Sequence, residues 1–143
     1  MRPEFGASML AIADTLASRT TCCKLGVGCV LTGERGRIVG TGYNGVASGL
    51  RHCIDEPCAG GNTPKGSDLC EAIHAEQNAL MMVHDIYRIQ HAYVSHAPCQ
   101  RCTKMLLNTS CGTIIFKHAQ GLEPQAQDLW LRAGRHWIHY GEH

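Results

Sequence analysis

Two cysteines, Cys99 and Cys102, lie close together in the segment HAPCQRC, which spans residues 96–102. Pro98 suits the first turn of a helix, because the N–H that proline lacks would have no partner there. Side chains three residues apart project from one face of a helix, so both sulfurs can reach one ion. The positive end of the helix dipole favours the thiolate, which is the form that binds metal. The spacing indicates a metal-binding pair, although redox-active pairs and half zinc ribbons share it.

His74 supplies a candidate third ligand, in the segment CEAIHAEQNAL at residues 70–80. One imidazole nitrogen and two thiolates give three protein ligands, the number typical of catalytic zinc, whereas a structural site has four. The fourth position can then hold water, and zinc lowers the pKa of that water to roughly 7. The combination predicts a source of hydroxide at neutral pH.

Glu76 follows His74 by two residues and need not bind the ion itself. A carboxylate beside a zinc-bound water can take its proton and deliver it elsewhere, which is general acid–base catalysis. Taken singly, the two residues are better explained as a core histidine and a helix-start glutamate that favours the dipole. Together with the segment at residues 98–102, they predict a catalytic zinc site.

The composition favours a small-molecule substrate. The chain has 143 residues, of which 44% are hydrophobic, and its net charge is +1. This length fits one domain, expected over residues 1–143, with a packed core. There is no basic excess of the kind that binds nucleic-acid backbones, so a polynucleotide partner is not favoured.

The nine cysteines are an odd number, so they cannot all pair within the chain. Glu4 and Asp14 interrupt the N-terminal segment, which does not read as a secretory signal, and no apolar run approaches the ~18 residues of a membrane span. We therefore expect a cytoplasmic protein with reduced thiols, where clustered cysteines favour metal over disulfides. The alternative for Cys23, Cys29 and Cys111 is a role as small buried hydrophobes.

Hydrophobic periodicity predicts an alternation of helices and strands. The predicted helices span 4–17, 70–83, 99–109 and 123–134, and the predicted strands span 27–32, 37–44, 91–95, 112–116 and 135–140. The first two strands can form a hairpin, whereas the later ones need helical crossovers, so a mixed five-stranded sheet is expected. The Gly-rich stretch at 45–67 is expected to be a functional or metal-tied loop.

The motifs H-x-E and P-C-x-x-C together resemble the signature of zinc-dependent nucleobase deaminases. Within that superfamily the chain is most similar to deoxycytidylate (dCMP) deaminases. The stretches that carry the resemblance are 18–30, 40–45, 48–58, 70–79 and 93–104. The resemblance implies a cytidine-deaminase-like three-layer sandwich, with helices on both faces of the sheet. It also implies zinc-dependent hydrolysis of dCMP to dUMP and ammonia, with dUMP as a precursor of thymidylate.

The resemblance further implies that hydroxide attacks C4 of the cytosine ring while Glu76 protonates N3 and then the leaving amino group. The implied substrate contacts are Asn44, Ala75, His96 and Ala97, with Arg19 and Lys24 as candidates for the phosphate. Asn44 has an alternative reading as a turn residue, since Asn-Gly is a strong turn pair. Arg51 and Lys104 are further candidate cations.

Members of the family often carry a second, structural zinc, for which Cys22, Cys53, Cys58 and Cys70 are the candidates, with His52 in reserve. Four sulfurs would close a tetrahedral site and tie the 45–67 loop to two helices.

The resemblance also implies a homo-oligomer, expected to be a hexamer, and regulation by dCTP and dTTP. The residues implied in effector binding are Gly42, Tyr43 and Gly45. One departure from the family lies at residues 117–125, where KHAQGLEPQ replaces an expected acidic-aromatic stretch. It bears on contacts with the edge of the substrate and on tolerance of 5-substituted cytosine.

Two alternatives remain. The first is a deaminase that acts on another cytosine nucleoside or nucleotide, or on adenosine in tRNA. The second belongs to a different class, a non-catalytic zinc module that binds a protein or nucleic acid. If the protein is a module of this kind, replacing Glu76 should not impair its function.

Overall fold

A computed structural model describes residues 1–22, 25–55 and 71–141 of the chain. The helices are α1 (Phe5–Ala17), α2 (Ala75–Met82), α3 (Gln100–Leu107) and α4 (Pro124–Arg132). The strands are β1 (Gly28–Thr32), β2 (Ile38–Tyr43), β3 (Gly45–Val46), β4 (Ala72–Ile73), β5 (His91–His96), β6 (Thr113–His118) and β7 (His136–His139). Among the described helices, none is both long enough and apolar enough to cross a bilayer.

Five of the strands form one mixed sheet in the order β2-β1-β5-β6-β7. Strand β1 is antiparallel to β2 and to β5, whereas β5, β6 and β7 are parallel to one another. The antiparallel pair is joined by a short turn, and the parallel strands are joined through α3 and α4, as their geometry requires. The predicted five-stranded mixed sheet is confirmed.

The two faces of the sheet are covered by different helices, because side chains alternate along each strand. On one face α1 packs against three strands, through Met9, Leu10, Ala13, Val30, Tyr93 and Ile115. The other face meets α2, α3 and α4, through Leu31, Ala79, Ala92, Val94, Leu106, Ile114, Phe116 and Trp130. The predicted three-layer arrangement is therefore confirmed.

Two glycines allow helices to lie directly on strands. A Cβ atom at Gly42 of β2 would meet the carbonyl oxygen of Ala75 and, at 2.6 Å, the amide nitrogen of Ala79, both in α2. A Cβ atom at Gly28 of β1 would meet the carbonyl oxygen of Ala13 in α1. Close packing of this kind fixes where α2 begins relative to the sheet.

The predicted helix at 70–83 is wrong at its N-terminal end. Ala72 and Ile73 are extended and pair with Val46 and Gly45, so β3 also replaces the first residues of the predicted 45–67 loop. His74 is extended as well (φ −72°, ψ 154°), and α2 begins only at Ala75. Ladder hydrogen bonds to β3 compete with the helical conformation here, and periodicity along one segment cannot reveal them.

The C-terminal end of α3 is held by Arg135, which follows α4. Its guanidinium donates to the carbonyl oxygens of Leu106 (3.3 Å), Leu107 (2.8 Å) and Cys111 (2.8 Å). The last carbonyls of a helix have no partner within it, so a planar cation with several N–H groups suits this position. The same guanidinium lies 5.1 Å from the ring centroid of Trp130.

Candidate active site

The three predicted metal ligands lie at the N-terminal ends of two helices. His74 is the N-cap residue of α2, Cys99 is the N-cap residue of α3, and Cys102 lies in the first turn of α3. Strand β5 ends three residues before Cys99, so the parallel strand delivers the cysteines to the same end of the sheet as α2. Both helices direct the positive ends of their dipoles toward this place.

The distances between the ligand atoms fit a tetrahedral ion. His74 Nδ1 lies 3.5 Å from Cys99 Sγ and 3.3 Å from Cys102 Sγ, and all three atoms lie within 4.8 Å of one another. Ligand atoms around a tetrahedral zinc are separated by roughly 3.5 Å, given bond lengths of about 2.0–2.3 Å. Across residues 1–22, 25–55 and 71–141, this is the one group of three or more such side chains close enough to share an ion. The nitrogen-and-two-sulfur donor set therefore fits zinc.

The cluster holds protons that a cation can displace. Hydrogen bonds from the side chain of Cys102 and from His74 lower the pKa of the Cys99 thiol to about 3. The pKa of Cys102 is raised, first by its hydrogen bond to Cys99 and then by burial. The hydrogen bond to Cys99 is also the main cause of a raised His74 pKa. Metal binding replaces such shared protons, so zinc affinity is expected to rise with pH.

Gln77 orients His74 and was missed from the sequence. The backbone N–H of His74 donates to Gln77 Oε1 at 2.9 Å. A glutamine at the third helical position that reaches back to the N-cap is one half of a capping box. The spacing His-x-x-Gln was visible in the sequence, but histidine is not a usual N-cap residue.

Glu76 is buried beside the cluster, with 4% of its surface exposed. It lies in the first turn of α2, where a carboxylate is favoured by the helix dipole. Its charge contributes to the raised pKa of three thiol or imidazole groups, those of His74, Cys102 and Cys29. A buried carboxylate next to three metal-ligating groups is suited to moving protons at the ion.

The side chain of Asn44 is hydrogen-bonded to the backbone that precedes β1. Its Oδ1 accepts from the N–H of Val27 (2.8 Å), and its Nδ2 donates to the carbonyl of Leu25 (2.6 Å). Its own carbonyl accepts from the hydroxyl of Thr20 at 2.9 Å. These contacts shape the backbone at the metal-site end of the sheet, and a contact between Asn44 and substrate stays a prediction.

His96 and Ala97 lie between β5 and the cysteines. Ala97 is buried and its N–H donates to the carbonyl of His118 at 3.0 Å. His96 is half-buried, and its Nδ1 lies 3.0 Å from the hydroxyl of Ser95. Neither Ser95 nor His118 was predicted to be a site residue, since a serine inside an apolar strand carries no signal of its own. Ala75, the fourth implied contact, is buried at the start of α2.

Glu123, at the N-cap of α4, also reaches the site. Its Oε1 accepts from the N–H of Gln100 at 3.1 Å, in the first turn of α3. The carboxylate thereby occupies one of the unpaired N–H groups beside the cysteines. This residue lies in the stretch that departs from the family pattern, and the sequence did not predict its contact.

Three of the four candidate phosphate-binding cations are exposed at separate places. Arg19 is exposed just after α1, Arg51 is exposed in the segment after β3, and Lys104 is exposed on α3. Lys24 lies outside the described residues. A role for any of them in binding phosphate stays a prediction.

Two of the four candidate ligands for a second zinc ion lie among the described residues. Cys22 and Cys53 are both buried. The N–H of Ile54 donates to the carbonyl of Thr21 at 3.0 Å, so the chain segments that carry the two cysteines lie side by side. Cys58 and Cys70 lie outside the described residues, as does Cys23. The reserve ligand His52 is exposed, with Nδ1 4.0 Å from Asp55 Oδ2.

The residues implied in effector binding have structural contacts. Gly42 lies against α2, and a Cβ atom at Gly45 would meet the hydroxyl of Thr21. The carbonyl of Tyr43 accepts from the side-chain amide of Asn78 at 2.9 Å. These contacts account for the two glycines by packing, and effector binding there is an untested prediction.

Comparison with known proteins identifies the family. The family model for the cytidine and deoxycytidylate deaminase zinc-binding region matches residues 4–118, which include His74, Glu76 and both cysteines of the cluster. The chain belongs to this family.

Several curated relatives align with most of this chain. Deoxycytidylate deaminase of Saccharomyces cerevisiae is 30% identical over 94% of the chain, and ComE operon protein 2 of Bacillus subtilis is 33% identical over 93%. The chain spans only 44% of the yeast protein and 69% of the Bacillus protein. It spans 95% of the deoxycytidylate deaminase of Mycobacterium phage D29, which is 32% identical over 80% of the chain.

Solved structures show the same fold. The dCMP deaminase of cyanophage S-TIM5 in its apo form superposes with a TM-score of 0.75 over 97% of this chain and 99% of that one, at 23% identity. The same phage protein in complex with dCMP and dUMP gives a TM-score of 0.74. The cytidine deaminase of Mycobacterium leprae gives 0.53 over 86% of the chain. The deaminase family and the cytidine-deaminase-like fold are thus both confirmed.

Proposed function

We propose that this protein is a zinc-dependent hydrolase that converts dCMP to dUMP with release of ammonia. The observation that carries the proposal is the compact His74–Cys99–Cys102 cluster with the buried carboxylate of Glu76 beside it. Support for the substrate comes from the relatives, because those of yeast and of the phage are named deoxycytidylate deaminases. The cyanophage protein of the same fold has been solved with dCMP and dUMP.

The residues of this chain have distinct roles in the reaction. His74, Cys99 and Cys102 would hold a zinc ion, which when bound would supply a water acidic enough to lose its proton near neutral pH. Glu76 would accept that proton and give it to N3 of the cytosine ring as the water oxygen bonds to C4. The same carboxylate would then carry the remaining hydroxyl proton to the amino group, so that the C4–N bond breaks, ammonia leaves and the carbonyl group of dUMP remains.

An ammonia-release assay tests the substrate directly. The purified protein is incubated with dCMP, dCTP, deoxycytidine, cytidine and adenosine, each with and without added dCTP as an effector. We expect the highest kcat/KM for dCMP, and activation by dCTP if the effector prediction is correct. Higher kcat/KM for a free nucleoside or for adenosine would contradict the proposed substrate.

Two alternatives make different predictions. A deaminase of free nucleosides or of tRNA adenosine would release ammonia from those compounds, and the near-neutral charge of +1 does not favour the tRNA substrate. A non-catalytic zinc module would release ammonia from none of them. Burial of Glu76 favours the enzyme, because desolvation of a carboxylate is costly in a protein that makes no use of it.

A second zinc ion held by Cys22, Cys53, Cys58 and Cys70 is part of the proposal. Burial of the first two thiols and the hydrogen bond between their neighbouring residues support it. Elemental analysis of protein purified without chelator should give two zinc ions per chain, and Cys53→Ser should reduce this to one. Cys111→Ser, which removes a buried thiol that belongs to neither set, is the matched control and should leave two. A ratio of one in the unmodified protein would contradict the second site.

The remaining expectations concern assembly and context. We propose a cytoplasmic homo-oligomer, a hexamer, that supplies dUMP for thymidylate synthesis and responds to dCTP and dTTP through the segment of Gly42, Tyr43 and Gly45. Light scattering coupled to size exclusion, with and without each triphosphate, should give a mass six times that of the 15.6 kDa chain. A monomeric mass under all conditions would contradict the assembly.

A further inference from the structure

The carboxylate of Glu123 caps a helix other than its own. Glu123 is the N-cap residue of α4, yet its side chain makes no capping bond there, and its Oε1 accepts from the N–H of Gln100 in α3 at 3.1 Å. Helix α4 has little need of this carboxylate. Pro124, at its first position, has no N–H, and the N–H of Ala126 donates to the carbonyl of Glu123 at 3.0 Å. The side chain is therefore available to α3.

The bond from Gln100 to Glu123 fixes one end of the peptide group that joins Cys99 to Gln100. The carbonyl of Cys99 belongs to the same peptide group, and it accepts from the N–H of Thr103 at 2.9 Å. Because a peptide group is planar, anchoring both its N–H and its C=O fixes the orientation of the whole plane. The Cα atom of Cys99 lies in that plane, so the direction in which its side chain leaves the backbone is constrained.

Of the two cysteines, Cys99 has the greater need of such a constraint. Cys102 lies inside α3 with none of its surface exposed, so helical geometry and packing hold it. Cys99 lies outside the helix as its N-cap residue, with an extended backbone (φ −72°, ψ 171°), and is partly exposed. Its Sγ must nevertheless stay close to His74 Nδ1, 3.5 Å away, for both to reach one ion. The contact with Glu123 supplies an anchor that the helix itself does not provide.

Glu123 does not belong to the ligand set. Among the described residues, the group close enough to share an ion consists of His74, Cys99 and Cys102, and no carboxylate is part of it. Glu123 also lies outside residues 4–118, which the family model matches. Replacing a residue that holds a metal ligand in place, without itself binding the metal, typically weakens metal binding by about 10–100-fold. Glu123 has the placement of such a residue.

We infer that Glu123 is a positioning residue for the metal site, which accepts the N–H of Gln100 and thereby directs the sulfur of Cys99 toward the ion. The role requires an acceptor oxygen at this reach and not a negative charge. The inference rests on the proposed function and adds to it a residue from the C-terminal part of the chain.

Three substitutions of Glu123 separate reach from charge. Glu123→Gln keeps an acceptor oxygen at the same reach without the charge, Glu123→Asp keeps the charge on a shorter side chain, and Glu123→Ala removes both. We expect glutamine to keep the zinc dissociation constant within about threefold, and aspartate and alanine to weaken zinc binding by about 10–100-fold. Asp128→Ala, which removes an exposed carboxylate paired with Arg132 on the same helix, is the control and should leave the affinity unchanged.

Competition with a chromophoric chelator measures the affinity, and the loss is expected for one zinc ion per chain. Cobalt(II) in place of zinc reports the ligand geometry through its visible absorption, which should be kept in Glu123→Gln and altered in Glu123→Asp. A contribution to folding alone would lower the unfolding temperature of the metal-free protein without changing this spectrum. Glutamine and aspartate variants that bind zinc equally well, or a greater loss for glutamine, would overturn the inference.

These measurements need no substrate, so their outcome does not depend on turnover. If the unmodified protein binds zinc but releases no ammonia from any cytosine compound, the proposed function fails, while the comparison of affinities still decides the role of Glu123. With dCMP and saturating zinc, Glu123→Asp should lower kcat by about tenfold and keep KM within about threefold, because Glu123 contacts the backbone of α3. A raised KM with unchanged kcat would contradict the positioning role.

Discussion

Glu76, in the first turn of α2, has only 4% of its surface exposed. Burying a carboxylate costs desolvation free energy, which is better explained if the site uses the group. Its neighbours belong to the metal cluster, and its charge raises the pKa values of the His74 imidazole and the Cys102 thiol. At the scale of single residues, the proposed mechanism requires this carboxylate to gain and lose a proton while the three ligands stay fixed.

Replacing Glu76 by glutamine tests that dependence. Glu76→Gln keeps the shape of the side chain but cannot carry a proton, so kcat should fall by about 10²–10⁴-fold. Zinc content should not change, because the ligands are His74, Cys99 and Cys102. Glu34→Gln, in the exposed turn after β1, is the control and should keep full activity. Unchanged turnover in Glu76→Gln would indicate a non-catalytic zinc module.

Cys111 provides a prediction on pH and stability. Burial raises its pKa from the usual 9.0 to about 12. In the unfolded chain the thiol ionises above about pH 9, whereas in the folded protein it stays protonated, so ionisation favours the unfolded state as pH rises. The contribution of this thiol is complete below pH 9 and should decline by about 1.4 kcal/mol per pH unit above it.

The measurement compares the protein with Cys111→Ala between pH 9 and pH 11. Urea unfolding at each pH gives the free energy of unfolding. The variant is expected to be less stable at pH 7 but to lose stability less steeply above pH 9. Parallel curves over this range would show that the Cys111 thiol titrates alike in the folded and unfolded states.

At the scale of elements, the contact between α2 and β2 decides where the metal ligands meet. The absence of a side chain at Gly42 lets α2 approach the strand backbone, and the first residue of that helix follows His74 directly. A shift of α2 outward would move His74 and Glu76 together, away from the cysteines on α3.

Gly42→Ala should therefore damage both stability and activity. The new methyl group would meet backbone atoms of Ala75 and Ala79, which cannot rotate away, so the free energy of unfolding should fall by about 1–3 kcal/mol. Gly112→Ala is the matched control, since the nearest atom to its new methyl group is the carbonyl oxygen of Gln90 at 4.0 Å. Thermal unfolding and dCMP turnover measure the two effects. Equal stability of the two variants would contradict the packing role.

The sequence predicted those elements whose signals are local. Periodicity located α1, the sheet strands and α4, and the spacing of His74, Glu76 and the two cysteines predicted the catalytic cluster. Prediction failed where partners are distant in the chain: Ala72 and Ile73 are extended because they pair with β3. Ser95 and Glu123 were missed for the same reason, since their partners Gly28 and Gln100 lie far away along the chain.

At the scale of the whole molecule, the cluster joins two helices that are connected through a strand of the central sheet. His74 lies at the start of α2. The cysteines lie at the start of α3, which follows β5 along the chain. An ion held by all three side chains links these segments directly. Because such an ion binds the folded chain better than the unfolded one, its binding energy adds to stability.

Removal of zinc should lower both activity and the unfolding temperature. Treatment with a strong chelator is expected to abolish ammonia release and to lower Tm by about 5 °C or more, measured by differential scanning fluorimetry. Added zinc should restore both. Chelator already saturated with zinc is the control and should have no effect. Full turnover after the metal has been removed, as verified by elemental analysis, would contradict the hydrolytic role of the site.

Helix α3, which carries the cysteines, is hydrogen-bonded at both ends by residues that lie later in the chain. Glu123 holds its first turn and Arg135 holds its last, yet the family model stops at residue 118. The recognisable motif is therefore shorter than the piece of polypeptide that must fold to support it. A fragment cut after residue 118 would retain every metal ligand and still lose the two clamps that keep Cys99 and Cys102 aimed at His74.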